Sequence, residues 1–235
     1  MHKIEIAPSA KQRVLDWCGR EHIFADIDPT KTAHIIVDLQ NGFMAPGQPA
    51  EIAEAREIVP NVNRLAGATR TAGGMVVWIQ NTITPESEKS WSVKHGIFSG
   101  AEWGPRMTSA FTPGDYGHAL YPSLEVRPGD LSVRKTRFSA FIQGSSDLDA
   151  LLRGRGIDTV IVVGTATNVC CESTARDAMM LNYKVFFVSD ANACRTDEEH
   201  NATLSTFLAI FGDVMDTDFL IQRLETNAAL RVAAE

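Results

Sequence analysis

The chain has 235 residues, 44% of them hydrophobic and 22% charged, with a formal net charge of −7. That supplies one large core, and α/β folds of this length commonly form a single domain. The acidic balance and the lack of a long basic run exclude non-specific nucleic-acid binding, and no apolar run approaches the roughly 18–20 residues that span a bilayer. The N-terminal stretch MHKIEI has no signal-peptide hydrophobic region. Four cysteines, Cys18, Cys170, Cys171 and Cys194, show no CxxC spacing. Cys170 and Cys171 are adjacent, which suits neither an ordinary disulfide nor a zinc ribbon. The expectation is a reduced, cytoplasmic protein.

In chain order, residues 9–19 place Val14, Leu15 and Trp17 ahead of a glycine stop and predict a short helix. It belongs to an N-terminal arm, 1–28, that precedes a single hydrolase domain over 29–235. Trp17, Ile23 and Phe24 predict an arm packed on its own core or on a neighbouring subunit, because a solvated tail seldom carries three large apolar groups. Buried apolar runs predict strands at 33–38, 74–80, 130–135, 158–163, 184–189 and 213–216. Helices are predicted between them. The first, 51–72, ends at Gly73-Gly74 and contains Pro60, which splits or restarts it. Others cover 146–155, 169–182, 197–211 (from a capping box, Thr196-x-x-Glu199) and 217–226. This alternation implies right-handed crossovers and a three-layer, Rossmann-like α/β fold, with a mostly parallel six-stranded sheet flanked by helices.

Residues 81–129 break the rhythm. They are rich in Gly, Pro, Ser and Trp and weakly periodic. A long insertion without regular structure is expected to be a lid or binding loop. It offers Trp91, Lys94, His95, Phe98, Trp103, His118 and Tyr121 as a pool from which pocket residues are drawn.

Three positions carry candidate chemistry. Cys170 follows the apolar run Val160–Val163 and precedes a helical stretch. Free N–H groups and the helix dipole favour a thiolate at such a junction, and a low-pKa thiol is a nucleophile candidate. Position alone is equally consistent with a small buried hydrophobe. Asp38 ends one apolar strand and Lys135 another. In open parallel sheets, ligands bind beyond the carboxyl ends of the strands, so an acid, an amine and a thiol arrive at one edge.

The motifs VDLQNGF (37–43), VRKTRFSAF (133–141) and GTATNVCCESTARDA (164–178) carry a family resemblance. From about Thr32 to Leu224 the chain resembles the isochorismatase-like cysteine hydrolases, which carry an Asp-Lys-Cys triad. Within them it looks most like the ureidoacrylate and related carbamoyl-amide (biuret, triuret-type) amidohydrolases. The resemblance makes Cys170 the nucleophile, Asp38 the proton relay and Lys135 the cation that holds the thiolate. Cys171 falls at a commonly apolar position of the motif, and neighbouring side chains on a helix point about 100° apart, so Cys171 is read as core filler. The resemblance also implies a cis peptide at Thr165-Ala166, with the N–H groups of Ala166 and Cys170 forming an oxyanion hole. Asn81 is expected to contact a ureido group, which its amide suits as both donor and acceptor. Phe43, Phe138 and Ser139 are expected to line the same pocket, the two phenylalanines being equally readable as core. Arg137 either binds a substrate carboxylate or sits in a surface ion pair.

Nicotinamidases of this superfamily bind a metal through histidines after the first strand, whereas residues 39–62 here contain none. The six histidines are scattered, with no H-x-x-x-H or Asp-x-His cluster. No metal and no cofactor are expected. The implied activity is metal-independent cysteine hydrolysis of a C–N bond in a small ureido or carbamoyl amide, such as ureidoacrylate, biuret, triuret or an N-carbamoyl compound. Two rivals stand beside it. One is an isochorismatase-type hydrolysis of another small substrate, although true isochorismatases lack the nucleophilic cysteine. The other is a non-catalytic binding or thiol-sensing protein. The apolar arm and the aromatic 81–129 segment predict a homodimer or homotetramer.

Overall fold

The computed structural model describes residues 1–234. Six parallel strands form one sheet: β1 (Thr32–Val37), β2 (Met75–Asn81), β3 (Leu131–Lys135), β4 (Thr159–Thr165), β5 (Lys184–Ala193) and β6 (Asp213–Met215). Their order is β3-β2-β1-β4-β5-β6. The doubly wound order puts a topological switch between β1 and β4, where the first half of the chain gives way to the second.

Alternation along the strands explains the three layers. Ile35, Val37, Val77, Ile79, Val160, Val162, Val185 and Phe187 face one core, and Ile36, Val76, Trp78, Ile161, Val163, Phe186 and Val188 face the other. Period-two side chains buried on both sides require helices on both faces. The first core is covered by α6 (Leu148–Arg153), α7 (Glu172–Met180) and α8 (Asp197–Ile210), through Leu148, Leu152, Ala175, Ala178, Leu204 and Phe207. The second is covered by α3 (Val59–Thr71) and α9 (Thr217–Ala234), through Val62, Leu65, Leu220 and Leu224. Pro60 restarts the chain at α3, after a short 3₁₀ turn at Ala53–Arg56. A further short helix, α2 (Asn41–Met44), follows β1.

Three predicted elements differ most, and one of them, α9, runs eight residues past its predicted end at 226. β5 runs four residues past its predicted end. Val162 pairs with Phe187 but Gly164 pairs with Asn192, so β5 bulges by three residues. The Asn192 amide donates to Val162 O (3.0 Å) and Val188 O (2.7 Å), closing the bulge. The segment 81–129 is largely helical. It contains α4 (Pro85–Ser90), a π turn at Val93–Phe98 and α5 (Gly100–Phe111), with Pro105 inside α5. A reciprocal Thr84–Ser87 capping box starts α4.

The arm packs on α8 rather than trailing. Its helix α1 (Pro8–Cys18) buries Ala10 and Val14. Ala7 N–H donates to Ser205 Oγ, and Glu5 N–H to Asn201 Oδ1. Ile23 and Phe24 pack against the two cores, as expected. Trp17 does not. It is 69% exposed, with Arg13 over its ring. On a short amphipathic helix the face that meets α8 is already filled by Ala10 and Val14, leaving Trp17 outside. Among the described residues no helix is long and apolar enough to cross a membrane.

Two histidines are buried in neutral form. His34, on β1, makes no hydrogen bond, and burial pushes its pKa down to about 3. His200, on α8, is pushed down to about 4 by burial and then by His2. In the unfolded chain both titrate near pH 6.5. Below that pH the unfolded state binds more protons than the folded one, so stability falls as pH falls, until each folded pKa is reached. His34→Leu is expected to remove about 2 kcal/mol of the stability lost between pH 7 and pH 5, as read by urea unfolding. An unchanged pH dependence in the variant would contradict the buried neutral imidazole.

Candidate active site

The carboxyl ends of β1 to β5 meet at one edge. Asp38 directly follows β1, with φ of 56°, a left-handed conformation that aspartate tolerates better than most residues. Its N–H donates to Ile79 O (3.0 Å) and its C=O accepts from Gln40 N–H (2.8 Å). The Gln40 side chain then ties β1 to β2, accepting from Asn81 N–H at 2.8 Å and donating to Asn81 O at 3.1 Å. On the other side, β4 comes unusually close. A Cβ at Gly164 would lie 2.1 Å from Val37 O, so only glycine permits the approach. The Thr165-Ala166 peptide that follows is cis.

Lys135 ends β3 and is fully buried, as is Asp38. Lys135 Nζ lies 2.6 Å from Asp38 Oδ2 and donates to Arg137 O at 3.1 Å. Cys170 sits in a π turn, Thr167–Cys171, just ahead of α7. Its thiol lies close enough to Asp38 and Lys135 for both to act on its ionisation. Cys171 is fully buried in the core.

The turn is braced from behind. His200 Nε2–H donates to Ser189 O at 2.9 Å. A carbonyl only accepts, so His200 Nδ1 must accept from Thr167 Oγ1–H, also at 2.9 Å. His2 stacks on His200 with centroids 4.4 Å apart, accepts from Cys194 N–H at Nε2 and donates to Asp197 from Nδ1. The arm therefore closes the back of the Thr167–Cys171 turn.

Burial decides the electrostatics. It pushes the Cys170 thiol up to about 12, with Lys135 opposing and Asp38 reinforcing the rise. The thiolate predicted from the strand–helix junction is thus not the resting form. The dipole argument holds for a solvated junction, and desolvation outweighs it here. Burial also raises the Asp38 carboxyl, against the pull of Lys135. For Lys135 burial acts downward, but Asp38 and Cys170 overcome it and the net shift is upward. The resting group is a neutral thiol beside a paired carboxylate, which is a nucleophile beside a base.

A cavity of about 200 Å³ opens over this trio. Cys170, Ala166 and Asn81 line its floor, and the 81–129 segment supplies much of its wall.

Comparison with known proteins agrees with this geometry. The family model for the isochorismatase domain matches residues 32–219. The chain belongs to the isochorismatase family. It is 30% identical to the ureidoacrylate amidohydrolase RutB of Methylobacterium radiotolerans, over 81% of this chain and 78% of that one. A crystal structure of a cysteine hydrolase from Pseudomonas syringae pv. phaseolicola superposes with a TM-score of 0.75 at 30% identity, covering 86% of this chain and 96% of that one. An N-carbamoylsarcosine amidase from Thermoplasma acidophilum gives a TM-score of 0.65 at 26% identity, covering 80% and 96%. As a member of the isochorismatase family the chain is a hydrolase.

Five of the seven residues singled out from the lid segment line the cavity: Trp91, Lys94, His95, Phe98 and Trp103. His118 is buried beside it, with Nε2 2.9 Å from Thr82 Oγ1, and Tyr121 packs on a core. Phe43 and Phe138 also line the cavity. Two expected contacts do not. Arg137 turns away, with its guanidinium donating to Ser90 Oγ and Thr136 O and lying over the Trp91 ring. It anchors the 81–129 segment and forms no surface ion pair. Ser139 Oγ accepts from the N–H groups of Phe141 and Ile142, so it closes a turn. Sequence reasoning missed Gln40, His200 and Arg195. Arg195 follows β5 and lines the cavity. The rule that ligands sit beyond strand ends points to it once β5 is extended to Ala193.

Among the described residues, His2, Cys194 and His200 bring potential metal-binding atoms within 4.8 Å of one another. The sequence concealed this cluster because His2 lies at the opposite end of the chain from Cys194 and His200. The imidazole planes are only 18° apart in a stack, so no nearby point lies in both. Both His200 nitrogens are already bonded. The cluster is suited to bracing rather than to metal binding.

A raised thiol pKa has a kinetic signature. Alkylation of Cys170 in the free protein by neutral iodoacetamide is expected to keep rising above about pH 9. A plateau below about pH 8 would show that Lys135 overcomes burial.

Proposed function

We propose that this hydrolase is a metal-independent cysteine amidohydrolase acting on a C–N bond of a small ureido or carbamoyl amide. The observation that carries the reading is the buried Lys135–Asp38 pair, 2.6 Å apart, grouped with Cys170, which lines the cavity. The names of two similar proteins, a ureidoacrylate amidohydrolase and an N-carbamoylsarcosine amidase, support the choice of bond.

Asp38 takes the thiol proton as Cys170 Sγ attacks the carbonyl carbon and a C–S bond forms. Charge moves to the carbonyl oxygen, where the N–H groups of Ala166 and Cys170 receive it; one such donor is typically worth about 2.7–4 kcal/mol in the transition state. Collapse breaks the C–N bond, and Asp38 returns its proton to the departing nitrogen as ammonia or an amine. Water then attacks the thioester or thiocarbamate carbon, gives a proton to Asp38, and Sγ leaves and is reprotonated. Lys135 compensates the Asp38 charge throughout. Each proton transfer has a protein group assigned to it, so no step calls on a Lewis acid.

Asn81 suits recognition of the planar amide. Its side-chain amide makes no hydrogen bond within the protein, while its backbone is held by Gln40. We also propose a reduced cytoplasmic setting, consistent with four free cysteines. A homodimer or homotetramer formed through the exposed apolar lid residues Val93, Ile97 and Phe98 completes the proposal.

Ammonia release is expected from at least one member of a panel of ureidoacrylate, biuret, triuret and N-carbamoyl amino acids, with nicotinamide at least about 100-fold poorer in kcat/KM. Cys170→Ser is expected to slow turnover by at least about 100-fold, and Cys171→Ser to retain most of it. The reverse pattern would reassign the nucleophile. Activity is expected to survive exhaustive EDTA treatment, and loss restored by zinc or iron would overturn the metal-independent reading.

A further inference from the structure

The cavity is lined in a way that small, wholly polar ureas would not use. Phe43, Trp91, Phe98, Trp103, Met107 and Phe138 present apolar surface to it. Three of its hydroxyls are already committed inside the protein. Thr82 Oγ donates to Gln80 O, Thr136 Oγ to Gly144 O, and Ser99 Oγ to Lys94 O. A substrate with only amide edges, such as biuret, would leave most of its donors unpaired against these rings.

The charged lining is one-sided. Lys94 and Arg195 line the cavity, and no aspartate or glutamate does. Asp38 lies beneath and is paired with Lys135. Lys94 Nζ donates to Ser99 Oγ at 3.0 Å and lies over the Phe98 ring, with no carboxylate partner. Its burial pulls its pKa down, and it is close enough to Cys170 to interact with it electrostatically. A half-buried ammonium without a counter-ion, in a cavity with apolar walls, attracts an anion.

We propose that the pocket selects a ureido or carbamoyl amide built on an apolar body and carrying one carboxylate, which Lys94 and Arg195 receive while the aromatic walls hold the body. This rests on the amidohydrolase reading for the bond cleaved, but the grip itself is independent of turnover. Each methylene added to the body is expected to raise kcat/KM about fourfold until the cavity is filled. N-carbamoylnorleucine and N-carbamoylphenylalanine are then better substrates than N-carbamoylglycine, and biuret is poor.

Binding to Cys170→Ala, which lacks the nucleophile, separates the grip from the chemistry. Calorimetry compares 3-phenylpropanoate with 3-phenylpropanamide, two probes of similar shape and different charge, and with biuret. The carboxylate is expected to bind at least about tenfold more tightly than the amide, and added Lys94→Met is expected to bring that ratio below about threefold. Arg195→Gln, a change at an exposed position, is expected to reduce the ratio in the same direction. Equal or tighter binding of the amide or of biuret overturns the inference, as does a ratio that neither variant moves. If the carboxylate preference holds but N-carbamoylphenylalanine is not hydrolysed by the unaltered protein, the amidohydrolase reading fails and the anion-selective pocket stands.

Discussion

The site depends on an ammonium and a carboxylate 2.6 Å apart with no solvent at either group. Removing two ions from water costs several kcal/mol each, and their attraction repays this only with good geometry. Such a pair is a poor device for stability. Its value here is chemical, since Lys135 keeps a carboxylate beside a thiol that would otherwise face an unpaired buried charge. The same coupling complicates any test by mutation. Asp38→Asn would leave the Lys135 ammonium uncompensated, and breaking a buried pair typically costs about 3–5 kcal/mol. Activity lost in that variant is informative only alongside its melting temperature.

The fold also brings the thiol to this pair. The two strands beside the topological switch must end side by side, and the Gly164 approach to Val37 brings them closer than any side chain would allow. The left-handed turn at Asp38 then takes the chain out of the sheet, and Gln40 pins that turn to β2. Acid and amine therefore come from rigid strand ends and not from a mobile loop, which is how a site holds its geometry. The one part built on a turn, Thr167–Cys171, has its brace in His200.

Much of this was legible because parallel sheets write themselves as apolar runs. All six strands, the helices between them and the grouping of Asp38, Lys135 and Cys170 follow from that rule and from strand-end placement. What was not legible has three physical causes. The helices of 81–129 are short, start at local caps and contain Pro105, so no long periodic stripe marks them. Arg137 is long enough to reach either the cavity or the lid, and only packing against Trp91 decides between them. The thiol was read from its helix end, whereas its protonation is set by complete burial, which depends on how the whole chain closes over it.

On the proposed reading, the parts that build the reaction and the parts that choose its substrate come from different stretches of sequence. The reacting groups lie at strand ends within the family match, where a change of one residue disturbs the sheet register or the buried ion pair. Six of the cavity's lining residues, among them one of its two cations, come from 91–103, where Arg137 lies over the Trp91 ring. Substitution in that lid can alter shape and charge while Asp38, Lys135 and Cys170 stay in place. The arm, outside the family match, acts on the opposite side, with His2 seated against His200 behind the Thr167–Cys171 turn. A chemistry fixed by strand ends, a specificity carried by a separable lid and a turn braced by the chain's second residue imply that lid substitutions shift substrate preference without moving the thiol's pH dependence. Changes at His2 or His200 should act through the turn, lowering turnover without redirecting it.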